Sequence, residues 1–254
     1  MRIKVRDLPY SRVDVKLVED AVNKFVEAEK TATSAEEVLK AREEMFDAFE
    51  EFNTNSSIAS ARYTLNTRDD FYVAEQEYYD EVYPIIGDLY NTYAKVMLNS
   101  RFRPELEKLV PETVYPCLVY SEKAHSPEVI ADEQEENAII TKYTQLLSQL
   151  TTEWRGEQKT IAYIRGFFED KDREVRKQAA EAVDRALATV GDELDNIYDQ
   201  LVKVRTRIAR KLGYDNFVEL GYYRMSRIDY NQEMVAKFRE NVLKSIVPVV
   251  TEMK

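Results

Sequence analysis

Apolar residues in this chain recur at intervals of three and four almost from one end to the other. That spacing puts them on one face of successive α-helices. Val15, Val18, Val22, Phe25 and Val26 form the first such stripe, and Val38, Ala41, Met45, Phe49 and Phe52 the second. Only 6 Gly and 7 Pro punctuate 254 residues, too few for the many turns of a sandwich or barrel. The fold class predicted is all-α, a multi-helix two-lobed array with long antiparallel helices and at most one short hairpin near 151–161.

Local signals place the elements. Ser34 with Glu37 makes a capping box. The cluster NTNSS at 53–57 predicts a turn, with a new helix over 58–65. A tyrosine-rich stripe over 71–98 predicts a helix that Pro84 kinks or splits. Prolines 104, 111, 116 and 127 break the chain into short pieces, which places a boundary between a first unit, 1–125, and a second, 126–254. Ser126-Pro127-Glu128 then opens a helix to about 150. LTTEWRGEQKTI, with Gly156 as pivot, predicts the hairpin. From Val175 to Leu212 one apolar face persists for about 40 residues, a helix on the order of 60 Å long, closed by Gly213 as a left-handed cap. Asn231 caps the last helix, whose stripe runs through Met234, Phe238, Val242, Ile246, Val250 and Met253 to the final Lys254. An uncovered stripe there predicts a truncated helical unit with a tendency to self-associate.

Charge and residue counts exclude several functions. A net charge of −11 disfavours nucleic-acid and anionic-membrane partners. Cys117 is the single cysteine, so no intrachain disulfide forms, and with no apolar leader or spanning run the chain reads as cytoplasmic. With His125 as the single histidine, HExxH, a histidine-rich zinc site and a second Glu-x-x-His beside Glu122–His125 are all excluded. Cys117 and His125 lack an orienting group for nucleophilic catalysis, and His125 reads as a surface residue. Phosphate-loop and hydrolase-elbow motifs are absent, and ADEQEEN reads as a solvated helix face.

One segment departs from the acidic background. Asp199 to Arg239 holds nine Lys/Arg against five Asp/Glu, and Arg224, Arg227 and Tyr230 read as a basic-aromatic turn. Pairing of Arg224 and Arg227 with acids such as 132–136 is the commoner arrangement for such residues. The string LVKVRTRIARKLGYDNFVELGYYRM, followed by R-x-DY and VAKFR…VP, resembles the oligoendopeptidase F group of zinc metallopeptidases, relatives of thimet oligopeptidase. HSPEVI…EEN, WRGEQKTI and KDREVRKQA agree with it, over about 101–254.

The resemblance implies a two-lobed helical enzyme that encloses a channel and cuts short peptides. Its zinc is held by HExxH and a later glutamate. No position of this chain corresponds to those residues, so no catalytic and no metal-binding residue is assigned, zinc is expected only in a longer parent, and this chain alone is expected to be inactive. Tyr222, Tyr223, Arg224, Arg227 and Tyr230 become candidates for the channel wall, where arginines suit a peptide carboxylate and tyrosines its backbone. The alternative is a self-sufficient helical peptide-binding or scaffold protein without catalysis.

Overall fold

The structure is a computed structural model that describes residues 4–253; the terminal Lys254 lies outside them. It is almost wholly helical. The elements are α1 (Val15–Thr31), α2 (Ala35–Leu65), α3 (Asp70–Asn99), α4 (Arg103–Leu109), α5 (Val114–Ala124), α6 (Ile130–Gln149), the strands β1 (Thr151–Trp154) and β2 (Glu157–Thr160), α7 (Ile161–Arg165), α8 (Arg173–Ala188), α9 (Gly191–Lys211), α10 (Phe217–Arg224), α11 (Gln232–Ser245) and α12 (Val247–Met253).

The largest core lies between α1, α2 and α3, with α4 and α5 closing it. Its centre is aromatic. Phe25, Phe46 and Tyr93 meet edge to face, and Phe52 stands edge-on to both Tyr79 and Tyr83, the geometry favoured by ring quadrupoles. The segment ahead of α1 is strapped onto this bundle. Arg12 donates to the buried Glu75 carboxylate, as does the Tyr10 hydroxyl, while Tyr78 donates to the Val13 carbonyl at 2.8 Å. Burial works to raise the Glu75 carboxyl, but Arg12 and Tyr10 outweigh it and hold it below the usual carboxylate range.

The capping box at Ser34 forms. Its hydroxyl accepts from the Glu37 amide, while the Glu37 carboxylate reaches the amide of Thr33 rather than that of Ser34. The turn expected at 53–57 does not form, and α2 runs straight through it. Ser56 is fully buried there, donates to the Asn53 carbonyl and is met by the Tyr83 hydroxyl at 2.8 Å. Burial of one continuous face thus overrides the local turn preference.

Pro84 does not split α3 either. Proline lacks the amide that would bond the carbonyl four residues earlier, that of Asp80. The side chain of Asn137 on α6 supplies the missing donor at 3.0 Å, and Gln134 does the same for Glu81 at 2.7 Å.

The predicted 40-residue helix is two helices, α8 and α9, with Thr189 and Val190 between them. Both residues bond back three positions instead of four, the Thr189 hydroxyl also takes the Ala186 carbonyl, and Gly191 follows. Poor helix formers in succession explain the break. The C-terminal end of α9 is as expected. Gly213 has φ +87°, its amide bonds to Arg210 and the next amide bonds to Ala209, the two bonds of a Schellman cap.

Ser126 makes no side-chain cap, and Pro127–Val129 form one 3₁₀ turn ahead of α6. The hairpin is present, with Thr151 opposite Thr160 and Trp154 opposite Glu157. Its turn residues, Arg155 and Gly156, both have positive φ, the requirement of the primed two-residue turn. Trp154 packs with Ile161, Ile164 and Val183 in a small core of its own, and a third core joins α6 to α9 and α10 through Ile139, Ile197, Val204, Ile208 and Leu220.

Asn231 caps α11, accepting from the Met234 amide at 3.0 Å. The last stripe is interrupted at Ile246, because Pro248 has no amide to continue the ladder. Neither α11 nor α12 has a buried residue.

Phe52 is fully enclosed by the aromatic core. Phe52→Ala is expected to cost about 3–5 kcal/mol, read as a lowered urea midpoint with an unchanged denaturant slope.

Candidate functional site

A cleft of about 560 Å³ opens where α3, α5, α6 and α10 converge. From α3 it takes Tyr83, Gly87 and Tyr90, and from α5 Cys117 and Ser121. His125 follows α5, Glu133, Glu136 and Asn137 come from α6, and Tyr223, Arg224 and Ser226 complete the wall. Sequence segments more than a hundred residues apart therefore share one surface.

The acidic face of α6 organises it. Asp132 and Glu136 are each 6% exposed, so the reading of ADEQEEN as a solvated face is corrected here. Helical spacing turns Asp132, Glu133 and Glu136 inward, and cations from α9 and α10 meet them. Arg207 reaches Asp132 at 2.6 Å and Lys211 reaches its other oxygen at 2.5 Å. Arg205 and Arg224 take the two oxygens of Glu136, each at 2.7 Å. Arg224 also donates to Glu133 at 2.7 Å. Burial acts against charge on Arg224, but Glu136 and Glu133 outweigh it and raise its pKa. Burial likewise tends to raise the Asp132 carboxyl, yet Lys211 and Arg207 hold it below the usual carboxylate range.

His125 is buried, not on the surface as its sequence context suggested. Its Nδ1 lies 2.9 Å from Glu133 Oε2, while its buried Nε2 faces Asp88 Oδ1 at 3.5 Å and makes no hydrogen bond among the described residues. Asn91 on α3 donates to its backbone carbonyl at 3.1 Å. The imidazole is thus clasped between α3 and α6. Cys117 lines the same cleft, half-buried, and makes no hydrogen bond to His125 among the described residues.

The five residues proposed from sequence divide into two groups. Tyr223 and Arg224 line the cleft. Both lie in α10, Arg224 as its last residue, rather than in the turn where Arg224 was expected. The Tyr223 hydroxyl donates to Glu219 at 2.7 Å, and that bond together with burial pushes its pKa up to about 12. Tyr222, Arg227 and Tyr230 form a second cluster beside it. The Arg227 guanidinium sits 4.9 Å from the Tyr222 ring centroid and 5.3 Å from that of Tyr230. Of the two arginines expected to pair with residues 132–136, Arg224 does so and Arg227 does not. Sequence reading missed Asp88 and Asn137, whereas Glu133 fell within the acids 132–136 expected to meet an arginine.

The donor set does not fit a catalytic zinc, which takes three protein ligands. Among the described residues no three His, Cys, Asp or Glu side chains come together in a way that could hold a metal ion. No described helix is long and apolar enough to cross a membrane.

Residues 5–124 match the family described as the Peptidase M3 N-terminal domain. The fold is similar to that of PZ peptidase A, solved with an inhibitor, at a TM-score of 0.93 and 38% identity, over 98% of this chain and 44% of that one. An oligoendopeptidase F from Bacillus anthracis str. Ames gives 0.92 and 38% over 97% of this chain and 45% of its own. A further oligoendopeptidase F structure gives 0.93 and 34% over 99% and 44%. This chain therefore spans less than half the length of each. No curated protein matches it.

Arg224→Met leaves Glu133 short of its cation and Glu136 with Arg205 alone. The expected loss is about 2–3 kcal/mol, below the full cost of stripping a buried pair, measured by urea unfolding. Asp132 has a depressed folded pKa, so its contribution is present above the ordinary carboxylate value near 4 and is lost as pH falls through the folded value. Asp132→Asn is expected to flatten the decline of stability with falling pH below about 4, followed by thermal melts across that range.

Proposed function

Because this chain belongs to the M3 peptidase family, with oligoendopeptidase F enzymes as structural counterparts, we propose that it forms the N-terminal helical part of a zinc-dependent oligoendopeptidase. The whole enzyme cleaves short peptides inside an enclosed channel, and this part supplies a lobe and a stretch of wall. The observation that carries the reading is the alignment itself. Nearly all of this chain superposes on less than half of a peptidase at 38% identity.

Other features support it. Phe238, Leu243, Ile246, Val249 and Met253 on and between α11 and α12 are all more than half exposed, apolar surface of the kind that another part of a larger protein covers. A self-sufficient binding or scaffold protein would be expected to bury that face. The same surface gives the isolated chain a means of self-association. The family match ends at residue 124 and the large core draws on residues up to Val119, which supports a division into units 1–125 and 126–254. A single unpaired cysteine supports a cytoplasmic location.

In this reading the segment carrying Tyr222, Tyr223, Arg224, Arg227 and Tyr230 faces the channel. Zinc and its ligands would belong to the remainder of the enzyme, and the chemistry the metal would supply there is Lewis-acid activation of water. The residues of this chain then bind and orient peptide and exclude solvent. Alone, the chain is expected to show no hydrolysis of a fluorogenic oligopeptide above background, with or without added zinc. Joined to the remaining region of an oligoendopeptidase F, it is expected to restore chelator-sensitive hydrolysis. Cleavage by the chain alone, or no activity from the joined protein despite native folding, would refute the assignment.

A further inference from the structure

We infer that Arg227, held between Tyr222 and Tyr230, is a receptor for a carboxylate of the bound peptide, whereas Arg224 is a fixed structural ion that contacts none. This rests on the peptide-channel reading above and adds to it the chemical group recognised and the residue that recognises it.

The two arginines are three residues apart and differ completely in occupancy. The two terminal nitrogens of the Arg224 guanidinium are each bonded to a carboxylate, Nη1 to Glu136 and Nη2 to Glu133. Arg227 has no carboxylate within ion-pair distance among the described residues, although Asp229 lies two positions along the chain. Its guanidinium rests instead near two tyrosine rings whose centroids are 6.4 Å apart. Two rings inclined at 72° to one another lie on the same side of the guanidinium, a cation–π contact that uses none of its N–H donors. Neither the Tyr222 nor the Tyr230 hydroxyl has a hydrogen-bond partner among the described residues, so neither is committed to the protein.

The backbone fixes this arrangement. The Arg227 amide bonds to the Tyr222 carbonyl at 3.2 Å, and the amides of Met225 and Ser226 bond back to Gly221 and Tyr223. Ser226 is left at φ +49°, a left-handed conformation that a non-glycine residue adopts at some cost. The cost is offset by the contacts on either side, and the result is a half-buried cation packed against aromatic rings. Binding an anion there forfeits little further side-chain entropy. A carboxylate matches the planar fork with two parallel hydrogen bonds. The surrounding protein is acidic, with a net charge of −11, so anions are held off elsewhere and the cradle is locally distinct.

The test uses the full 254-residue chain and three short acetylated alanine peptides. One has a free C-terminal carboxylate, one a C-terminal amide, and one an amide with Glu as its last residue. Binding is followed by NMR titration, reading arginine Nε–H and tyrosine ring signals. The free acid is expected to bind about tenfold or more tightly than the plain amide, the scale of a charge-assisted hydrogen bond. Arg227→Gln is expected to abolish that preference while plain-amide affinity stays the same, and Arg227→Lys to retain only part of it because an ammonium lacks the fork. Preference for the Glu-bearing amide equal to that for the free acid would support the carboxylate receptor and show that it also takes side chains. Preference for the free acid alone would support a receptor for chain ends. Equal binding of free acid and plain amide, an unchanged preference in Arg227→Gln, or no binding of any peptide would each overturn the inference. The channel reading is judged separately, by hydrolysis in the joined protein described above.

Discussion

The buried acids of α6 are the constraint on which the second half of the structure depends. Asp132, Glu133 and Glu136 point into the protein, and an unpartnered carboxylate there would be intolerable. Each is met twice. Asp132 takes Arg207 and Lys211, Glu136 takes Arg205 and Arg224, and Glu133 takes His125 and Arg224. The observed placement of α9 and α10 against α6 satisfies all three. Such pairs contribute little net stability once desolvation is included, and their consequence is alignment. Because Arg224 closes α10, the same pairs fix where the following turn begins.

A second constraint joins α6 to the first helical bundle. Pro84 opens a gap in the hydrogen-bond ladder of α3, and in a buried helix that gap must be filled. Asn137 fills it at the Asp80 carbonyl, and Thr141, one turn on along α6, bonds the Asp80 carboxylate at 2.5 Å. Burial raises the pKa of that carboxyl. His125 is clasped by Asp88 of α3 and Glu133 of α6. An apparent helix breaker therefore serves as the docking point between the two halves, and the cleft is the space left beside it.

Much of this was legible in the sequence where the deciding chemistry is local. Asn231, Gly213 and the Arg155–Gly156 turn act within a few residues of themselves, and each was placed correctly. The errors fell where a distant partner decides. NTNSS reads as a turn until Tyr83 meets Ser56, and Pro84 reads as a break until Asn137 supplies a donor. His125 reads as a surface residue because Asp88 and Glu133 reach it from two different helices. In the site, pairing of Arg224 with the 132–136 acids followed from charge pattern, since its partners lie on one helical face. The freedom of Arg227 did not, because the two arginines differ only in which way the turn at Ser226 directs them.

The basic surplus between Asp199 and Arg239 also takes a different meaning in three dimensions. On a linear map it resembles a patch offered to an external polyanion. In the fold, Arg205, Arg207, Lys211 and Arg224 are drawn inward to α6, and Lys203 pairs with Asp199 on its own helix. Most of the surplus is therefore internal counter-charge and presents no field of the kind nucleic acid requires. A small remainder is left outside, and Arg227 differs from an ordinary solvated cation in being half-buried against two aromatic rings. The chain neutralises one arginine on two carboxylates and leaves the next, three residues on, with no acidic partner among the described residues, so charge pattern alone does not decide which cation of a basic segment is internal.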